Sequence, residues 1–232
     1  MGEGRPTLAT SAYAALREAI LRAEIPPGSK LNIRALCERF DVGLSPMREA
    51  LNRLSSEQFV THSNQRGFTV ADLNVAELEE LTRARCWVNE IGLRQSIAQG
   101  GAAWEEDVLL AFHRMNRIPR LTEEPHARAA PWAKAHMEFH RALVGASGSA
   151  WIGRFCSELF EVAERYRYAA RRAERARTDV ASEHQAIMTA AMDRDADRAV
   201  ALLNAHFEQT TSLVRLTLQA SPSNAQPGAE TP

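Results

Sequence analysis

Gly43-Leu44-Ser45-Pro46-Met47-Arg48-Glu49-Ala50-Leu51-Asn52-Arg53-Leu54 decides the fold of the first third of the chain. Ser45-Pro46 predicts a helix start, with Ser45 as N-cap and Pro46 at the first helical position, where a missing N–H costs nothing. Met47, Ala50, Leu51 and Leu54 fall on one face of that helix. Ser45, Arg48, Glu49 and Asn52 fall on the other and point outward. Upstream, Tyr13, Leu16 and Ile20 predict a helix over Thr10 to Ala23, stopped by Ile25-Pro26-Pro27-Gly28. Ile33, Leu36, Cys37 and Phe40, at i, i+3, i+4 and i+7, predict a second short helix, and Asp41 to Leu44 a tight turn. Downstream, Phe59-Val60-Thr61 and Phe68-Thr69-Val70 predict two strands joined by a turn over Ser63 to Gly67. Three short helices followed by a hairpin make a winged helix-turn-helix.

A helix of this width fits the major groove of B-DNA, and its first residues reach base edges. Ser45 and Arg48 stand at that end. Arg48 can pair with guanine or clamp a phosphate, and the first-turn N–H groups beside Pro46 can meet a phosphate oxygen. Arg66 stands at the wing tip, within reach of the adjacent minor groove, and Gly67 permits the tight turn there. Arg34 opens the second helix and is placed for a phosphate. Taken singly, each arginine reads equally as a solvated surface charge; the ordered series of elements favours DNA. A winged helix can also serve as a protein-interaction module.

Tyr13 to Val70 resembles the DNA-binding domain of the GntR family of bacterial regulators. The residues that carry the resemblance are Leu16-Arg17-Glu18-Ala19-Ile20-Leu21, Ile25-Pro26-Pro27-Gly28-Ser29-Lys30-Leu31, Ser45-Pro46-Met47-Arg48-Glu49-Ala50-Leu51, Arg53-Leu54 and Asn64-Gln65-Arg66-Gly67-Phe68. Leu44 replaces an arginine that commonly contacts DNA in that family, and a leucine there can touch a thymine methyl.

The chain has 232 residues, 45% hydrophobic and 25% charged, the balance of a soluble globular protein. No apolar run approaches the roughly 18 residues needed to cross a bilayer, and Met1 to Thr10 lacks the apolar core of a secretion signal. A cytoplasmic protein without membrane contact is therefore expected. Cys37, Cys86 and Cys156 are isolated, which fits a reducing compartment. The net charge of −1 does not by itself announce a nucleic-acid binder, but an acidic sensor domain can mask a local basic face. The expected organisation is a flexible lead over residues 1–7, a winged helix-turn-helix over 8–72, a second domain over 74–219 and a disordered tail over 220–232 rich in Ser, Pro, Gly and Ala. The fold class is mainly α, because nothing between Asn74 and Gln219 alternates like a strand.

That second domain resembles the all-helical, ligand-sensing FCD domain of the FadR subfamily, in particular the branch containing the carbon-starvation-induced regulator. The matching segments are Gly100 to Val108 and Leu159-Phe160 through Arg165-Tyr166-Arg167-Tyr168. The resemblance implies an antiparallel bundle of about six helices and a homodimer.

Histidines carry its chemistry. His136 and His140 are neighbours at i, i+4, on a face continued by Leu143 and Val144. His184 shares a face with Val180, Ile187, Met188 and Ala191, and His206 with Leu202, Leu203 and Leu213. Four imidazoles on apolar faces need hydrogen bonds or a shared ligand. Neutral imidazole suits Zn²⁺ and Ni²⁺, so a divalent metal is expected. The subfamily's metal site uses one aspartate and three histidines; His140, His184 and His206 match the histidines, and His136 stands where the aspartate does. Arg85 shares a face with Leu78, Leu81 and Val88, with Asn89 beside it. A guanidinium on an inward face needs an anion, either an acid ligand, as the subfamily's first sensor helix implies, or an internal carboxylate such as Glu90. Tyr166 is a further effector candidate, set against a core role.

His136-Met137-Glu138-Phe139-His140 differs from a zinc-protease helix, which needs glutamate immediately after the first histidine. A metal-dependent enzyme, or a metal or ligand carrier that does not bind DNA, is the alternative reading. The favoured one is a homodimeric repressor that binds a pseudo-palindromic double-stranded operator and is released by a small carboxylic acid.

Overall fold

The computed structural model describes residues 7–63, 67–120, 129–170 and 179–220. The chain forms two compact units, one ending at Asn74 and the other starting at Val75.

In the first unit, helix α1 (Leu8–Leu21) begins two residues earlier than its apolar spacing suggests, because the Thr7 hydroxyl caps it by accepting from the Thr10 N–H at 3.1 Å. Strand β1 (Lys30–Leu31) is too short to leave a periodic signal. Helix α2 (Ile33–Phe40) spans the expected residues, capped by Asn32 Oδ1, which accepts from Arg34 and Ala35 N–H. Helix α3 (Leu44–Ser56) corrects the expected cap: Gly43 is the N-cap, and Ser45 and Pro46 lie inside the first turn. The first intrahelical bond runs from Met47 N–H to Gly43 O. No N–H before it is used, so Pro46 is tolerated at the third position as well as at the first.

Strands β2 (Val60–Ser63) and β3 (Gly67–Val70) pair antiparallel with Val60 opposite Val70 and Ser63 opposite Gly67. β1 adds to the other side of β3, giving the order β1-β3-β2. The core joins Leu16 and Ile20 of α1 to Met47, Leu51 and Leu54 of α3, closed by Phe59, Phe68 and Val70. This three-helix, hairpin-closed unit is the winged helix-turn-helix that the sequence predicts.

Among the described residues the second unit is all helix: α4 (Val75–Gln99), α5 (Ala102–Asn116), α6 (Ala129–Leu143), α7 (Ala150–Ala169), α8 (Val180–Met192) and α9 (Ala196–Ala220). α4 packs between α7 and α9, α5 packs on α6, and α8 pairs with α9. Phe139, Leu143, Ile187, Leu203 and Phe207 are buried at the centre. Gly100 and Gly101 break the chain between α4 and α5. No helix among the described residues is long and apolar enough to cross a membrane. Apart from Thr7 and Ala220, the expected flexible lead and disordered tail lie outside the described residues, as does Arg66.

Candidate functional site

Helix α3 sorts its residues sharply. Met47, Ala50, Leu51 and Leu54 are fully buried, while Ser45, Arg48, Glu49 and Asn52 are exposed and Pro46 is half-buried. Leu44 is 54% exposed at the helix tip, so packing does not explain a leucine there. Gly43 offers no side-chain cap, so the N–H groups of Leu44 and Ser45 depend on solvent or an anion. Arg34 is exposed in the first turn of α2. Gly67 opens β3 at φ +74°, a left-handed conformation that glycine adopts without strain.

The described arginines of this unit divide into two groups. Arg17 and Arg53 flank Glu57, Arg22 binds Glu18, and Arg39 binds Glu24. Arg53 also lies over the Tyr13 ring at 3.8 Å, and the Tyr13 hydroxyl donates to Glu57 at 2.6 Å. Those four are engaged with carboxylates of their own unit. The side chains of Arg34 and Arg48 have no carboxylate partner among the described residues, and both face solvent.

In the second unit His136 and His140 from α6, His184 from α8 and His206 from α9 are all buried, with one ligand atom from each lying within 4.8 Å of the others. His136 Nε2 is 3.0 Å from both His184 Nε2 and His140 Nε2. Phe139, Phe160 and Phe207 pack against the rings. Nitrogens bound about 2.1 Å from one ion at right angles are about 3.0 Å apart, a spacing that the two His136 contacts match.

Partners outside the cluster set the tautomers. Glu183 Oε2 accepts from His206 Nδ1 at 2.6 Å, which turns the lone pair of Nε2 toward the other rings. Arg167 Nη1 donates to His136 Nδ1 at 3.1 Å and also pairs with Glu164. A neutral His136 in that bond keeps its proton on Nε2. Presenting Nε2 to a metal therefore requires Arg167 to release Nδ1. Sequence periodicity found the four histidines but not Glu183, Glu164 or Arg167. These act across helices, where local spacing carries no signal.

Burial, then the His140 imidazole, holds His136 well below the ordinary 6.5; burial, then His184 and His206, does the same for His140. Both are neutral at pH 7, the form that ligates metal. Below about pH 6.5 the unfolded chain takes up protons that the folded chain refuses, so stability is present above that pH and lost as pH falls. Each histidine contributes a slope of up to about 1.4 kcal/mol per pH unit. The thermal midpoint of the metal-free chain is expected to drop steadily between pH 6.5 and 5. A flat midpoint in differential scanning calorimetry would mean that the imidazoles are solvated.

Beside the cluster, Arg85 and Asn89 from α4 meet His140, Cys156, Phe160 and Phe207 around a small cavity. Arg85 is buried with its guanidinium 4.0 Å from the Phe207 ring, and no acceptor among the described residues meets its Nε. Burial lowers its pKa to about 10 while the Glu164 carboxylate opposes the shift, so it stays charged. Glu90, the internal partner suggested by sequence, binds Arg94 at 2.8 Å instead. Asn89 Nδ2 donates to Arg85 O at 2.9 Å. Tyr166 is fully buried in α7 and does not line that cavity.

The chain matches two families: bacterial regulatory proteins of the gntR family over residues 8–70, and the FCD domain over residues 80–209. It is 34% identical over 210 residues to the HTH-type transcriptional regulator BphR of Paraburkholderia xenovorans (strain LB400), covering 90% of this chain and 86% of that protein. It is 32% identical over 203 residues to the HTH-type transcriptional repressor GlaR of Escherichia coli (strain K12), covering 84% and 90%. Its fold is shared by E. coli McbR/YncC, with a TM-score of 0.75 at 14% identity over 92% of this chain and all (100%) of that one. A GntR regulator of Rhodococcus sp. RHA1 gives a TM-score of 0.71 at 22% identity over 92% of this chain and 98% of that one. The relatives are regulators rather than enzymes, which removes the enzyme alternative. With a winged helix-turn-helix in front and a helical FCD domain behind it, the chain belongs to the GntR family of DNA-binding transcriptional regulators.

Proposed function

We propose that the chain is a cytoplasmic, homodimeric repressor that leaves its operator when a small carboxylic acid binds beside a metal ion in the FCD domain. The observation that carries this reading is the charged Arg85 beside His140 on one small cavity. Residues 8–72 serve as the head and 74–219 as the sensor. Leu44, Ser45, Pro46 and Arg48 face the major groove, Arg34 meets a phosphate, and Arg66, next to Gly67 in the chain, contacts the adjacent minor groove. Two heads related by a two-fold axis suit a pseudo-palindrome. The repressor name of the E. coli relative supports the sense of regulation.

His136, His140, His184 and His206 hold the ion, which supplies an electrophilic centre for a carboxylate oxygen. Four neutral imidazoles suit either Zn²⁺ or Ni²⁺. Arg85 supplies the charge that selects an acid, and the cavity, with room for about one water, has to widen to admit it. Asn89 sits beside Arg85, donating to its backbone carbonyl, and Tyr166, buried in α7, is the remaining effector candidate. For release to follow, the acid must bind one arrangement of the protein more tightly than the other.

The test is a panel of small organic acids added to metal-loaded protein bound to its own upstream DNA. At least one acid is expected to raise the thermal midpoint and release the DNA, and Arg85→Ala to abolish both effects. Equal release from the Arg85→Ala protein would overturn the acid-binding role.

A further inference from the structure

His136 and His206 are oriented by partners of opposite kind. Glu183 accepts from His206 Nδ1 at 2.6 Å, so that ring turns a lone pair inward. Arg167 donates to His136 Nδ1 at 3.1 Å, and a guanidinium has no means of accepting, so that ring turns an N–H inward. His184 Nε2 and His140 Nε2 both stand 3.0 Å from His136 Nε2, and either can accept its proton. The metal-free cluster is therefore closed by a hydrogen bond from His136, and Arg167 fixes its direction.

The surroundings of Arg167 suit a bond that can be exchanged. Its guanidinium pairs with Glu164, one turn back on α7, and lies 5.3 Å from the centroid of the Trp132 ring. Trp132 stands one turn before His136 on α6 and stacks on its imidazole, with centroids 4.5 Å apart and planes at 18°. The side chains of Arg167 and Glu164 are 13% and 11% exposed, so water competes little for the bond to His136. A cation with a carboxylate and an aromatic face beside it can leave Nδ1 without being stranded.

We propose that Arg167 is a positioning residue of the metal site, which holds His136 in the tautomer that cannot ligate and so sets how tightly the cluster takes a divalent ion. The proposal rests on the four-histidine reading above. Ligation through His136 Nε2 needs its Nε2–H bond broken and an Nδ1–H bond formed. The ring stays neutral, and no proton is gained or lost overall. An Nδ1–H facing an Arg167 N–H puts two donors in contact, so the guanidinium turns away, with Trp132 and Glu164 beside it. Taking up an ion therefore costs one charge-assisted hydrogen bond between α6 and α7. A carboxylate in place of His136 could accept from Arg167 with one oxygen and ligate with the other. An imidazole cannot do both, so Arg167 acts on this site as a brake. Because Trp132 touches both partners, its environment changes when the bond is exchanged.

The test uses the full chain, stripped of metal and isotopically labelled at histidine nitrogen, with Zn²⁺ as the probe. Long-range proton–nitrogen NMR spectra tell a protonated ring nitrogen from a bare one, and the signals missing from His136→Gln identify His136. Before zinc, His136 is expected to show a bare Nδ1 and a protonated Nε2; after one equivalent, a protonated Nδ1. The part of the fluorescence that Trp132→Phe lacks is expected to change over the same titration. Zinc should bind Arg167→Met about 10–100-fold more tightly than wild type, the range of one hydrogen bond to a charged group, and Arg167→Lys about as tightly as wild type. The tautomer measurement needs no change at position 167, so it stands whether or not those variants fold. A protonated Nδ1 in the metal-free wild type, an Nδ1 that stays bare once zinc is bound, or equal zinc affinity in wild type and Arg167→Met would overturn the proposal. A bare Nδ1 in zinc-loaded protein that His140→Ala cannot form would remove His136 from the ligands and leave the metal reading standing. Zinc held by neither wild type nor Arg167→Met would remove the metal reading itself, and this proposal with it.

Discussion

His140→Ala is expected to strip the metal from the FCD domain. Element analysis of the wild-type protein should find about one ion per chain, and of the variant almost none. The reason is geometric: His140 Nε2 is 3.0 Å from His136 Nε2 in a buried cluster, and its loss removes a donor that water is poorly placed to replace. Glu183→Gln gives a graded contrast. It keeps every candidate ligand but weakens the acceptor of His206 Nδ1, so affinity should fall about 10–100-fold rather than vanish. Chelation of wild type should lower its thermal midpoint by about 10 °C if the ion is present at about a thousand times its Kd. Equal metal content in wild type and His140→Ala would show that the cluster is held together by its own hydrogen bonds and not by an ion.

Arg48→Ala is expected to weaken operator binding about 10–100-fold without loosening the fold. A bidentate arginine–guanine contact is worth about 1–3 kcal/mol, and the exposed Arg48 has no carboxylate partner in its own unit among the described residues. Arg34→Ala should act differently. As a phosphate contact it should weaken binding to all sequences alike and reduce the salt slope by about one. Arg53→Ala is the control, since that side chain is engaged with Tyr13 and Glu57; it should lower the thermal midpoint and affect DNA through stability alone. Gel shifts at several salt concentrations separate the three. An Arg48→Ala protein with wild-type affinity and specificity would remove the start of α3 from the base-reading surface.

The winged head was legible because its signals are local. Met47, Ala50, Leu51 and Leu54 repeat at helical spacing, and that repeat requires only neighbours along the chain. The precise start of α3 was not legible, because a proline anywhere in the first turn leaves the same hydrogen bonds intact, and Ser45 resembles a cap whether or not it acts as one. β1 was missed for the opposite reason: two residues become a strand only when β3 arrives beside them.

In the second unit, sequence alone determined that His136, His140, His184 and His206 lie on inward faces, since each shares its helix face with apolar neighbours. Only the tertiary structure decided that the four faces converge, that Glu183 and Arg167 take opposite kinds of hydrogen bond to two of the rings, and that Glu164 rather than Glu90 balances Arg85. Helical period reports which way a side chain points. Which nitrogen, carboxylate or ring it meets depends on contacts between segments far apart in the chain, and those exist only once the bundle has closed.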